Sequence, residues 1–196
     1  MKRQHVILFV SIILILVVLA CGSTSDIEVN QPDSKSDQGS QSEEVIPEVS
    51  PTKAELGTSR DNPAPFGSEI IADDMSFSVL GITRPATDII MQGNQFNTEP
   101  EENQEYILVD LSVTCKKSTS EQCNLSTYNF KVVGSSGIVR DAEWFVAGVD
   151  GILENTDFYG EATLSGKIPF IVGTDEVNLL LVYEPLFGDS FYLSLQ

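Results

Sequence analysis

The chain has 196 residues with 29 acids against 11 bases, a formal charge of −18, and a single histidine, His5. That histidine lies in the leader described below, so the remainder has no Ser-His-Asp or Cys-His catalytic set and no histidine metal ligand. Twenty-one acids face seven bases between residues 58 and 196, a balance that repels phosphate and excludes nucleic acid as a partner.

Lys2 and Arg3 open the chain, and an apolar run broken only by Ser11 follows from Val6 to Ala20. This fifteen-residue stretch falls short of the roughly 20 that span a bilayer, but a basic start and an apolar core fit a secretory signal. Val18-Leu19-Ala20-Cys21 resembles the bacterial lipobox. Residues 1–20 are therefore expected to be a signal peptide. Cys21 is expected to be lipidated, carrying palmitate, and to anchor the chain on the extracytoplasmic side of a bacterial cell membrane or outer membrane.

Residues 21–57 are rich in Ser, Asp, Glu, Gln and Pro, as in Asp33-Ser-Lys-Ser-Asp-Gln-Gly-Ser-Gln-Ser-Glu-Glu44. Such composition buries too little to fold, so an acidic, disordered tether is expected. Residues 58–196 then form one domain.

Short strands with turn punctuation dominate that domain, with no long stretch of 3.6-residue period. Met75 to Val79 alternates and continues through Leu80-Gly81-Ile82, where Gly81 disturbs the apolar face. Tyr106 to Cys115 is the strongest strand, with Ile107, Val109, Leu111, Val113 and Cys115 on one face and Asp110 on the other. Further strands are expected at residues 129–133, 160–164, 167–172, 177–183 and 190–195. Gly134-Ser-Ser-Gly137, Gly173-Thr-Asp175 and Gly188-Asp189 supply turns. Gly166 reads as a turn between two strands. Seven or more strands without crossover helices indicate an antiparallel β-sandwich, with an eight-stranded barrel as the rival. Residues 138–157 fit either a strand with a long loop or a helical turn.

Cys115 and Cys123 remain as a pair once Cys21 is lipidated, and export favours a disulfide between them.

Three stretches carry a resemblance: Asn62-Pro-Ala-Pro-Phe-Gly67, the strand from Tyr106 to Thr114, and Leu164-Ser-Gly166-Lys-Ile-Pro-Phe170-Ile-Val172. With them the chain resembles a widespread family of bacterial surface lipoproteins of unknown function. The resemblance implies an immunoglobulin-like β-sandwich, similar to a secreted mycobacterial immunogenic antigen, behind a signal peptide and polar linker. It implies no catalytic residue. The cysteine pair and the acidic Glu99-Pro-Glu-Glu-Asn-Gln-Glu105 stand outside the family pattern.

Carboxylates are the abundant reactive groups, so an enzyme here would be a carboxylate-based hydrolase of envelope carbohydrate. No spacing selects a catalytic pair. Calcium is a possible partner at Asp73-Asp74 or in Asp150-Gly-Ile-Leu-Glu-Asn-Thr-Asp157, although neither carries the alternating acids of a calcium-binding loop, and no resident metal or cofactor is assigned. Trp144, Phe145, Phe158 and Tyr159 flank the same segment. Exposed, they would grip a sugar or peptide, yet the chain's one tryptophan is expected to fill the space between the sheets.

The expectation is a lipid-anchored interaction module without catalytic activity, its partner an unidentified protein or glycan of the envelope. A passive surface-coating role is the alternative. The contact residues singled out are Trp144, Phe145, Asp150, Glu154, Asp157 and Tyr159.

Overall fold

A computed structural model describes residues 56–196. The expected signal peptide, Cys21 and nearly all of the tether lie outside the described residues. Among the described residues no helix is long and apolar enough to cross a membrane.

Ten strands follow in order: β1 (Glu69–Ala72), β2 (Met75–Thr83), β3 (Gln104–Cys115), β4 (Gln122–Leu125), β5 (Phe130–Val133), β6 (Val139–Asp141), β7 (Thr156–Tyr159), β8 (Thr163–Gly173), β9 (Leu180–Tyr183) and β10 (Phe191–Ser194). One short helix, α1 (Thr87–Gly93), follows β2, and a 3-10 turn, Thr127–Asn129, precedes β5. The strands make two four-stranded sheets, ordered β1-β2-β3-β8 and β10-β9-β5-β6, and a β4-β7 ribbon. Every pairing between named strands is antiparallel. The protein is an immunoglobulin-like antiparallel β-sandwich.

The alternation of β3 explains how the sheets meet. Ile107, Val109, Leu111, Val113 and Cys115 are fully buried in the main core, because period-two side chains on one face all point at the second sheet. The space between the sheets is filled by Phe77, Phe130 and Tyr183, with ring centroids 4.5 to 5.6 Å apart. Gly81 marks a register shift in the β2-β3 ladder, as the broken alternation indicates. Cys115 and Cys123 form the expected disulfide, which ties the end of β3 to the ribbon. Asp110 lies opposite Lys167 in the β3-β8 register.

One expectation of the fold needs correcting. The two strands expected on either side of Gly166 are one strand, β8. A Cβ at Gly166 would stand 2.5 Å from the Gly151 carbonyl, so this glycine admits a close-packed backbone rather than making a turn. Gly57, at the end of the expected tether, accepts a hydrogen bond from the Tyr192 amide. Beyond the strands that the alternation revealed, β1, β4, β6, β7 and α1 are too short to carry a periodic signal.

The outer face of the first sheet is covered at one end. Tyr106 and Leu108, on the even face of β3, pack with Ala86 and Ile90 around α1 and with Val146, Val149 and Ile152. Residues 142–155 reach that position by wrapping the seam between β6 and β8, the facing edges of the two sheets.

Candidate binding cleft at the sheet seam

The seam segment is pinned to the free edge of β8 at two places. Glu143 N donates to Pro169 O at 2.8 Å, while Leu153 N donates to Lys167 O and Lys167 N to Gly151 O at 2.9 and 2.7 Å. These bonds occupy an edge that would otherwise present unpaired amides and carbonyls. Between the two anchors the chain bulges outward.

That bulge is held from a third side. Asn97 is buried, donating through Nδ2 to Ile90 O and Ala147 O and accepting at Oδ1 from Ala147 N. Gly148, at φ +73°, lies against Gly93 so closely that a Cβ on either would meet the other's backbone. Only two glycines can approach in this way. The bulge is therefore a fixed shelf.

Trp144 and Phe145 stand on it, 65 % and 74 % exposed. The expected burial of Trp144 is overturned, because the segment that carries it lies outside both sheets and the core is already filled by Phe77, Phe130 and Tyr183. The Trp144 ring is 3.9 Å from that of Phe145, tilted by 33°, and 6.2 Å from that of Tyr128 in an edge-on arrangement. Tyr128, 55 % exposed, comes from the 3-10 turn before β5. Three aromatic rings thus form one solvent-facing cluster, an arrangement that marks interaction surfaces on soluble proteins.

Beside the cluster opens a cleft of ≈ 250 Å³, whose lining includes Tyr128, Glu143, Trp144, Leu153, Glu154 and Asn155. Asn155 Oδ1 accepts from Thr127 N at 2.7 Å and Thr127 Oγ1 at 2.9 Å, which orients the amide and joins the Tyr128 turn to the seam segment. Burial, and secondarily the charge of Asp141, push the Glu143 carboxyl above its ordinary range. Burial likewise raises the Tyr106 hydroxyl, and Glu143 adds to the rise. Glu154 is exposed.

The remaining singled-out residues are scattered. Asp150 lines a separate hollow with Gly148, Val149 and Lys167, and its carbonyl accepts from Lys167 Nζ. Asp157 lies on β7 with Oδ1 accepting from Asn124 Nδ2 at 2.7 Å. Tyr159 ends β7 opposite Gln122, whereas Phe158 is buried in the main core. Asp73 accepts from the Tyr183 hydroxyl at 2.8 Å and Asp74 pairs with Lys117. Among the described residues no three His, Cys, Asp or Glu side chains group as metal ligands. The structure thus brings Trp144, Phe145 and Glu154 together and adds Tyr128, Glu143, Asn97 and Asn155. The first two of these additions carried no signal beyond an aromatic and an acid in polar surroundings.

No family model and no curated protein sequence matches the chain. Among solved structures it is similar to the Bacillus subtilis protein ycdA, named a candidate lipoprotein, at 14 % identity over 64 % of this chain, with a TM-score of 0.47. The chain spans only 37 % of the length of ycdA. It is similar to yjhA of Bacillus subtilis at 10 % identity, covering 68 % of this chain and 99 % of that one, TM-score 0.49. A third likeness is to the secreted protein MPT63 of Mycobacterium tuberculosis, at 15 % identity over 67 % of this chain and 97 % of that one, TM-score 0.48. The expected lipoprotein family has no sequence match, and what stands is the architecture of the two antiparallel sheets.

Proposed function

We propose that this protein is a lipid-anchored extracytoplasmic binding module without catalytic activity, which holds a protein or glycan of the cell envelope at the seam cleft. The observation that carries the reading is the exposed ring cluster of Tyr128, Trp144 and Phe145 beside a cleft on a shelf fixed by Asn97. Large aromatics left in water at a rigid position lose little entropy on binding and supply most of the contact energy in many interfaces. The leader and Cys21 support the anchored, exported setting, and an envelope partner follows from it.

Two measurements test the reading. Labelled palmitate is expected to enter the wild-type chain and not Cys21→Ser. Crosslinked envelope material is expected to yield one reproducible partner with the wild-type chain and to lose it with Trp144→Ala, an exposed substitution that leaves the core intact. A partner set unchanged by Trp144→Ala would favour the passive surface role instead.

One observation favours a second reading. Glu143 has a raised carboxyl and shares its cleft with the exposed Glu154, which is the division of environments a carboxylate hydrolase uses. Release of reducing ends from envelope polysaccharide, abolished by Glu143→Gln, would establish it.

A further inference from the structure

We propose that the seam cleft takes a basic side chain, arginine or lysine, of a protein partner. This rests on the binding reading above and names the chemistry of the partner.

The charge of the lining is one-sided. Glu143 and Glu154 are its ionisable acids, and among the described residues no lysine, arginine or histidine lines the cleft. Of the nearby bases, Lys131 pairs with Glu184 at 2.8 Å and Asp141 at 3.8 Å, Lys167 donates to Asp150 O, and Arg140 lies in the adjoining hollow, which it shares with Glu99, Glu101, Asp141 and Glu143, rather than in the cleft. The surrounding domain adds a net negative field, which attracts a basic segment over distances up to a Debye length.

The aromatic groups complete the match. Tyr128 and Trp144 meet edge-on, and both are more than half exposed. A guanidinium or ammonium against such a ring face is attracted by the ring quadrupole, and tryptophan is the best of the aromatic partners.

Desolvation decides against a neutral or anionic occupant. The Glu143 carboxyl is already partly withdrawn from water, and covering it with an uncharged group would withdraw it further without compensation. A cation replaces the lost water by a charge-assisted hydrogen bond. Glutamates and aromatics around one cleft therefore suit the same guest.

The test uses the full chain in a non-ionic detergent, with Trp144, its single tryptophan, as the fluorescent reporter. Two amidated, tryptophan-free peptides are titrated: one carries two arginines, and the other replaces them with citrulline, the neutral isostere. At low salt the arginine peptide is expected to bind about tenfold more tightly, with the preference shrinking in 0.5 M salt or so. Glu143→Gln combined with Glu154→Gln is expected to remove it. Should the double variant fail to fold by circular dichroism, Glu154→Gln alone, at an exposed position, is expected to reduce the preference. Equal affinity for the two peptides, or an arginine preference that survives both substitutions in a folded protein, overturns the inference. A Trp144-dependent envelope partner found alongside equal peptide affinities would leave the binding reading standing and remove this one only.

Discussion

The side-chain amide of Asn97 grips both backbone groups of Ala147, accepting from its N–H and donating to its carbonyl, each at 2.9 Å. Three residues before Ala147 stands Trp144, so one buried asparagine sets the height of the aromatic shelf. Replacing Asn97 by Ala takes this partner from the Ala147 N–H and from the Ala147 and Ile90 carbonyls. The expected cost is about 1–3 kcal/mol. Hydrogen exchange is the direct measurement: Ala147 should lose protection in Asn97→Ala well beyond the loss in β3. Trp144 emission should be red-shifted in both proteins, because the ring is in water in either case.

Gly148 makes a steric prediction. Its φ of +73° and its approach to Gly93 leave no room for a side chain, so Gly148→Ala carries both left-handed strain and a backbone clash. Left-handed strain alone costs about 1–3 kcal/mol. Urea unfolding should show a loss at or above the top of that range, while Gly67→Ala, at similar φ but with nothing near its Cβ, should show the strain alone. A smaller loss at Gly148 than at Gly67 would contradict the close approach.

Glu143 gives the protein a pH dependence with a definite sign. Burial and Asp141 raise its carboxyl in the folded state above the ordinary 4.5. Below 4.5 the group is protonated whether the chain is folded or not. As pH rises from 4.5 towards the raised folded value, the unfolded chain ionises first and the folded state loses stability, reaching a constant penalty above that value. Glu143→Gln should remove this part of the pH profile, seen as melting curves of the two proteins that diverge in the variant's favour over that interval. Other nearby acids, Glu99, Glu101 and Asp141, and the bases Arg140 and Lys131 remain in both proteins, so the difference isolates Glu143.

Cys115 and Cys123 close a short ring, eight residues apart in sequence, at the end of β3. Loop-closure entropy assigns such a ring about 2.5 kcal/mol. Cys115→Ala with Cys123→Ala should lower the urea midpoint by that order, plus the packing lost at two buried side chains, and a reductant should then have no further effect on the variant.

Much of the sandwich was legible because period-two burial is written directly into long strands. β3 shows it at five alternate positions from Ile107 to Cys115, and β2 shows even its own interruption at Gly81. Short edge elements escaped, since three or four residues such as Val139–Asp141 contain no full cycle of any pattern. The disulfide was legible through compartment chemistry, as only two cysteines remained after Cys21.

The candidate cleft was legible only as a region. The segment from 138 to 159 stands out by its aromatics and acids, but amphipathic side chains read alike whether they fill a core or face water, and nothing local shows that Trp144 is exposed. By itself the sequence determined an acidic, alternating-strand chain with one cysteine pair, because those properties follow from composition and local period. Only the tertiary structure decided that Tyr128 meets Trp144 across sixteen positions, that Asn97 fixes Ala147 across fifty, and that Glu143 and Glu154 share one cleft. Those are contacts between distant segments, set by how two sheet edges close on each other, and no local pattern encodes them.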